Sequence, residues 1–277
     1  MKLNGNTLSG ERPLTARSVI ASTLLGARPP VLASHVLVRS GELFGVGEGT
    51  TRVALSRMVA AGELEASDGS YALAGHLLER MTRQDESRRP VLRTWTGDWL
   101  VGIVTAASRT AAQRAGLRSA MRALRLAELR EGVWMRPDNL DAADLPHART
   151  VADEQCTWFR ARPEVLDDIP GEMSDRRLAA TLWDLGGWLT RGNELRRRMS
   201  TQTGRLERGR KDALAAGFLL AAAVLRHMQS DPLLPPELLG DDWPGRALRD
   251  EFDAFERAFG LRWREWLVAP SHVALHR

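Results

Sequence analysis

The residues whose types and spacing best suit chemistry in this 277-residue sequence form one polar set in a predicted helix at residues 50–61. On one side of that helix lie Thr50, Arg52, Ser56 and Arg57. An arginine guanidinium can donate two parallel hydrogen bonds to O6 and N7 of guanine, and hydroxyl groups contact bases or phosphates. This set therefore favours recognition of double-stranded DNA over catalysis.

The other side of the same segment is apolar, as packing on a core requires. Leu55, Met58 and Val59 recur at i, i+3 and i+4, and Ala54 is small enough for a neighbouring helix to approach closely. In a helix-turn-helix, the preceding helix crosses the recognition helix, whose polar face then enters the major groove. Both faces of the segment are consistent with that role.

The elements around this helix complete a small domain. We predict helices at residues 15–25, 34–44 and 50–61, followed by strands at 63–66 and 71–74. The turn between the strands, Ser-Asp-Gly-Ser at 67–70, is typical of a tight β-hairpin. This order predicts a winged helix-turn-helix with the hairpin tip as its wing. The candidate DNA-contacting residues are Arg17, Thr50, Thr51, Arg52, Ser56, Arg57, Gly69 and Ser70.

Charge alone does not establish nucleic-acid binding. The formal net charge is only +4, and residues 1–90 contain 11 Lys and Arg against 9 Asp and Glu. A strongly basic domain is the usual electrostatic signature of a DNA-binding protein. The composition therefore leaves open an alternative, a protein-interaction module with a degenerate winged helix and no specific operator.

The rest of the chain predicts two further parts in an α+β, mostly helical protein. We expect a winged helix-turn-helix domain at 1–75, a linker helix and joint at 76–90, a small α+β middle domain at 91–165, and a helical C-terminal domain at 166–277. The predicted middle elements are strands at 99–105, 133–137, 150–152 and 157–160 and a helix at 109–129. The predicted C-terminal helices are at 175–189, 192–198, 205–229 and 247–259.

Catalytic, metal and membrane functions find little support in the sequence. It contains no Gly-x-Ser-x-Gly motif and no metal-ligand pair at helical spacing, and its six histidines are scattered. We therefore expect no enzyme activity, no cofactor and no metal. The single cysteine, Cys156, is expected to be a buried structural thiol. The longest apolar run, at 213–225, is too short to span a bilayer, so we expect a cytoplasmic protein.

Several stretches of the sequence resemble the PaaX family of regulators of phenylacetic acid catabolism. They are TARSVI at 15–20, TRVALSRMV at 51–59, WTGDW at 95–99, GVWMRP at 132–137, DPLLPPELL at 231–239 and DWPGR at 242–246. The resemblance spans about residues 14–260. Its specificity lies in the order of the motifs rather than in any one of them.

The resemblance implies an architecture and a regulatory circuit. The fold it implies is a winged helix, a ferredoxin-like (Cas2-like) middle domain and an all-helical C-terminal domain. The function it implies is that of a homodimeric repressor, released from its DNA operator by an acyl-CoA effector such as phenylacetyl-CoA. The Cas2-like part raises a nuclease as an alternative, but residues 105–108, Thr-Ala-Ala-Ser, provide no acidic residue at the end of the first strand. The predicted wing also lacks the arginines typical of the family.

A candidate effector surface lies on the predicted middle helix. Arg114, Arg118, Arg122 and Arg125 recur at spacings of four, four and three, which would align them along one side of a helix at 109–129. Guanidinium groups suit the phosphates of an acyl-CoA. The alternative is a solvated charged face opposite the apolar side of the helix.

Overall fold

The computed structural model describes residues 14–140, 145–162, 174–210 and 212–268. These residues form a mixed α+β protein with two small antiparallel sheets. The chain packs as two compact units. Of the described residues, the first unit contains 14–81, 205–222 and 258–268, and the second contains 82–204 and 223–257.

The first unit begins with three helices and a three-stranded sheet. Its elements are α1 (Ala16–Leu25), β1 (Val31–Ala33), α2 (Ser34–Glu42), α3 (Glu48–Ala60), β2 (Leu64–Ser67), β3 (Ser70–Leu73) and the start of α4 (His76–Arg88). The sheet order is β1-β3-β2, and neighbouring strands are antiparallel. The core beneath them is aliphatic and includes Ile20, Leu24, Leu37, Leu55 and Met58. The α-α-α-β-β order that the sequence predicts is present, with one additional short strand, β1.

Local sequence explains where these elements begin and end. Thr15 caps α1: its hydroxyl accepts a hydrogen bond from the Ser18 amide, and the Ser18 side chain accepts one from the Thr15 amide. The β2–β3 turn has positive φ at Asp68 (47°) and Gly69 (75°), as a type I′ turn requires. The hairpin therefore folds as predicted from its Asp-Gly dipeptide.

The second unit contains a four-stranded sheet with two helices between its strands. The elements are β4 (Trp99–Val104), α5 (Ala111–Ala123), β5 (Ala127–Arg130), β6 (Val133–Pro137), α6 (Pro146–Asp153) and β7 (Cys156–Ala161). The sheet order is β5-β6-β4-β7, with every neighbouring pair antiparallel. A β-α-β-β-α-β chain order of this kind is the pattern of ferredoxin-like units.

Each face of this sheet packs against helical residues. On one face, Trp134 and Cys156 of the sheet pack with Leu117, Met121 and Ala152 from α5 and α6. On the other, Trp99 and Met135 pack with residues of α7 and of the 234–239 segment. The remaining helices are α7 (Asp175–Leu182), α8 (Leu185–Glu207), α9 (Ala213–Gln229) and α10 (Gly245–Val268), with a short 3-10 turn at Pro236–Leu238.

The predicted middle helix at 109–129 is wrong at its C-terminal end. The helix α5 stops at Ala123, and the following residues form the strand β5. Arg125 adopts a positive φ of 64°, and the amides of Arg125 and Leu126 donate to the carbonyls of Arg122 and Met121. This is a Schellman ending with arginine where glycine is usual. The apolar pattern alone could not reveal it.

Other predicted boundaries also require correction. The predicted strand at 150–152 lies inside α6, and residues 192–198 belong to the long helix α8 rather than to a separate helix. The predicted helix at 175–189 breaks at Trp183, whose backbone is extended, and that at 205–229 breaks at Gly209. The predicted 247–259 helix extends to Gly245–Val268. Residues of α8, α9 and α10 are divided between the two compact units.

Candidate nucleic-acid interface

The helix α3 presents a buried face and an exposed face within the first unit. Gly47 is its N-cap, and Leu55 and Met58 are buried in the core. The exposed residues include four of the predicted contacts, Thr50, Arg52, Ser56 and Arg57. They also include Val53, which is 51% exposed and is not among the predicted contacts. Val53 adds apolar surface to this face, of the kind that contacts thymine methyl groups.

Thr51, another predicted contact, differs from the exposed residues of α3 because its side chain is fully buried. Its hydroxyl donates to the carbonyl of Gly47 at 3.2 Å. A Cβ atom placed on Gly41 of α2 would lie 2.6 Å from this hydroxyl oxygen. Thr51 therefore contributes to the close packing of α2 against α3. The apolar periodicity of the sequence did not predict the burial of Thr51, because threonine is a polar residue.

The two arginines of α3 differ in their ion pairing. The guanidinium of Arg52 lies 2.7 Å from the carboxylate of Glu48, one turn earlier on the exposed surface. Arg57 is exposed, and no ion pair or hydrogen bond engages its side chain within the described part of the chain. Arg57 is thus the more available cation, whereas Arg52 would have to exchange a carboxylate for a DNA group.

The predicted contact Arg17 lies beside α3 but is engaged in an ion pair. Its guanidinium donates to both carboxylate oxygens of Glu63, with Nε at 2.8 Å from Oε2. This hydrogen bond lowers the pKa of Glu63, and His76, 3.8 Å away, adds a smaller effect in the same direction. The Arg17 side chain remains 56% exposed. An open groove between α1 and α3 is lined by Arg17, Thr50, Val53, Arg57 and Glu63 among others.

At the tip of the β2–β3 hairpin, backbone groups rather than cationic side chains are available to contact DNA. Gly69 is exposed, but its carbonyl accepts a hydrogen bond from the amide of Ser34 at 2.9 Å. Ser70 is half-buried in β3, opposite Ala33 on one side and Ser67 on the other. The side chains exposed at this tip are those of Ser67 and the acidic Asp68. The wing therefore adds no positive charge to the surface of α3.

The predicted arginine stripe divides into two environments. Arg114, Arg118 and Arg122 are exposed on α5. Arg125 lies beyond the helix end and turns into the second unit, where it donates to the hydroxyl of Ser87 at 2.8 Å. The four residues therefore do not form one surface, and the stripe as predicted is wrong.

The described residues contain neither a membrane-spanning helix nor a metal-binding cluster. No helix among them is both long and apolar enough to cross a membrane. Within the same residues, no group of three or more His, Cys, Asp or Glu side chains is arranged to hold a metal ion. Cys156 is buried as expected, and burial raises the pKa of its thiol.

Comparisons with known proteins give consistent matches at both ends of the chain. Residues 15–77 match the family described as PaaX-like protein, and residues 186–267 match the PaaX-like protein C-terminal domain. A similar solved structure is that of the uncharacterized protein Rv0674 from Mycobacterium tuberculosis, which is 41% identical. The alignment covers 91% of this chain and 98% of that chain, with a TM-score of 0.68. No curated protein matches.

Proposed function

This chain belongs to the PaaX-like family, whose members are transcriptional regulators, and we propose that it binds a specific DNA operator through α3. The observation that carries the proposal is the exposed face of that helix. Thr50, Arg52, Ser56 and Arg57 share this face with Val53, while Leu55 and Met58 anchor the helix to the core. Direct readout of bases in the major groove requires hydrogen-bonding groups and an apolar contact on one rigid helix.

The surface around the exposed face of α3 carries little unpaired positive charge. Arg52 and Arg17 are both paired with acids, and the wing tip is acidic, so phosphate attraction alone would be weak. We propose that affinity for the operator depends on base contacts and on a second copy of the chain. A homodimer would present two α3 helices to a pseudo-palindromic site, one helical turn or a multiple apart.

The test of operator binding is selection from genomic DNA at physiological salt. We expect the full chain to enrich one or a few fragments far above bulk DNA. Uniform, strongly salt-dependent binding to all fragments would instead support the protein-interaction module and contradict the proposal.

The first prediction concerns Arg52→Ala in a gel-shift series with the selected fragment and single-base variants of it. We expect a loss of affinity together with a loss of preference at one base position, because a bidentate guanine contact discriminates by about 1–3 kcal/mol. Arg118→Ala, which removes another exposed arginine, from α5, is the matched control and should change neither. Unchanged selectivity in Arg52→Ala would show that this side chain does not read a base.

The family resemblance supports a proposal about the regulatory circuit. We propose a repressor of an aromatic-acid operon of the phenylacetate type, with an acyl-CoA such as phenylacetyl-CoA as its effector. An effector releases DNA only if it binds the DNA-free arrangement more tightly than the DNA-bound one. A thermal-shift screen against acyl-CoA thioesters, followed by gel shifts with each stabilising compound, tests this part.

A further inference from the structure

A cavity of about 250 Å³ lies within the second unit, beside the end of α5. Much of its wall is apolar and includes Pro90, Val91, Leu100, Leu124, Leu126 and Leu233. An apolar cavity of roughly 150 Å³ is enough to hold a benzene ring. This one therefore has room for a ring or a branched aliphatic group with a short polar extension.

One side of the cavity carries the buried guanidinium of Arg136. The side chain is only 2% exposed. Its Nε donates to the Pro137 carbonyl at 2.9 Å, and its terminal nitrogens donate to Asn139 Oδ1 at 2.7 Å and to the carbonyls of Leu124 and Leu233. All four acceptors are neutral. The positive charge is thus fixed in position but not neutralised by its hydrogen-bond partners.

A second guanidinium, that of Arg125, lines the same cavity. It donates to the backbone carbonyls of Gln229 and Asp231 and to the hydroxyl of Ser87, which are again neutral acceptors. Within the described residues, its Nε has no protein acceptor. This nitrogen is not among the buried side-chain atoms that lack a partner, so it keeps some accessible surface and can donate to a ligand.

The electrostatics of the cavity favour an anion. Burial lowers the pKa of Arg136 to about 9, and the neighbouring charge of Arg125 contributes to the decrease. Burial also lowers the pKa of Arg125. The only acid among the lining residues is Glu86, against four arginines, of which Arg149 is already paired with Asp153. The charges of Asp231 and Glu86 raise the pKa of Arg125, and that of Asp138 raises the pKa of Arg136, so acids lie nearby. Among the described residues, however, neither guanidinium donates to a carboxylate, and an anionic ligand would supply that direct pairing.

We propose that this cavity binds a small carboxylic acid with an aromatic or branched apolar body, its carboxylate held by Arg125 and Arg136. The apolar walls would cover the body of the acid, and two charge-assisted hydrogen bonds would fix the carboxylate. A whole coenzyme A thioester is far larger than the cavity and has no carboxylate at the acyl carbon. That such an acid would control DNA binding rests on the proposed function; that it binds does not.

The test is isothermal titration calorimetry of the full chain with 3-phenylpropionate, with its neutral amide and with its coenzyme A thioester. We expect the carboxylate to bind about tenfold or more tightly than the amide, as for loss of a charge-assisted hydrogen bond. Equal affinity for acid and amide, binding of the thioester alone, or no binding of the acid would each overturn the proposal. Fragment selection without ligand tests the DNA function separately.

Substitutions in the wall of the cavity test whether 3-phenylpropionate binds there. We expect Arg125→Met to weaken binding of 3-phenylpropionate by roughly tenfold or more. Arg118→Met, on the exposed surface of α5, is the matched control and should bind as the unmodified protein does. Ala123→Phe adds bulk to the wall of the cavity while leaving both arginines unsubstituted, and it should abolish binding. Melting curves check that each variant is folded. Glu86→Gln removes the one lining acid and should tighten binding. Unchanged affinity in both Arg125→Met and Ala123→Phe would place the acid elsewhere.

Discussion

On the exposed face of α3, single side chains decide how much positive charge reaches DNA. Arg52 is held at 2.7 Å by Glu48, both side chains being more than half exposed. An exposed ion pair of this kind contributes only about 0–1 kcal/mol to stability. Because so little holds the pair together, Arg52 can exchange Glu48 for a phosphate or a guanine at small cost. The carboxylate that remains nonetheless repels the DNA backbone.

The second prediction follows from that repulsion. Glu48→Gln should tighten binding to DNA of any sequence, because it frees Arg52 and removes one negative charge near the phosphates. We expect the slope of log affinity against log salt to steepen by about one, as for one additional neutralised phosphate. Filter binding between 50 and 200 mM salt measures both quantities. Asp68→Asn tests whether removing an acid from the wing has the same effect, and an unaltered slope in Glu48→Gln would exclude Arg52 from the phosphate contacts.

Between elements, the angle of α3 depends on its close contact with α2. A Cβ on Gly41 would meet the Thr51 hydroxyl at 2.6 Å and the carbonyl oxygen of Val46 at 3.3 Å. Since Thr51 is fully buried, the clash can be relieved only by moving one helix or the turn. The helix-turn-helix geometry is therefore set by a glycine on one helix and a buried hydroxyl on the next.

The third prediction tests this contact. Gly41→Ala should destabilise the domain by about 1–3 kcal/mol, the usual cost of overpacking, and should weaken operator binding by displacing α3. Adding Thr51→Ala removes the closest atom and should recover part of the stability, so the two substitutions should be strongly non-additive. Urea unfolding and gel shifts of the two single variants and the double variant complete the cycle. Additive effects would show that the two residues do not act on each other.

The sequence predicted some ends of the helices and strands correctly and others incorrectly. The strand at 133–137 and the start of α1 agree with expectation because apolar runs, proline and a threonine cap are local signals. The helix α3 ends at Ala60, and Gly62 shortly after it adopts the left-handed conformation, again a local signal. The end of α5 uses Arg125 in the same conformation, and no sequence rule distinguishes that arginine from its helical neighbours. The false stripe of arginines is a direct consequence.

Packing of α8 against α9 buries a histidine. His227 stacks on Trp188 with ring centroids 4.3 Å apart, and its buried Nε2 has no hydrogen-bond partner among the residues that the structure describes. Burial lowers the pKa of His227 below its usual value near 6.5. The imidazole is thus neutral in the folded state at a pH where the unfolded chain already binds a proton.

The fourth prediction is a loss of stability in mild acid. The lowered pKa means that stability is fully present above about pH 6.5 and decreases as the pH falls toward the folded-state pKa, because unfolding then takes up a proton. Urea unfolding midpoints at pH 7.5 and 5.5 measure the effect. His227→Gln cannot titrate and should show a smaller decrease over this interval. The exposed His35→Gln is the control and should behave as the unmodified protein, and an equal decrease in His227→Gln would contradict the assignment.

At the scale of the whole chain, the first unit is assembled from distant segments. The guanidinium of Arg39 in α2 donates twice to the carbonyl of Trp266, at 2.7 and 3.0 Å, and lies over its indole ring. Phe44 packs against Phe218 with ring centroids 5.0 Å apart. These contacts join residues far apart in sequence, so no periodicity or motif predicts them. The candidate DNA-binding face was predictable from one helix, whereas the support beneath it was not.

The fifth prediction is that residues 1–88 alone form a less stable winged helix than the intact chain. The fragment retains α1 to α4 but loses the partners of Arg39 and Phe44, so α2, which orients α3, is held less firmly. We expect a lower melting temperature, faster amide exchange in α2 and weaker binding to the operator. In the intact chain, Arg39→Met should reproduce part of the faster exchange, and Arg28→Met, at the end of α1, is the comparison variant. Equal protection of α2 in fragment and full chain would mean that the distant segments do not stabilise the DNA-binding domain.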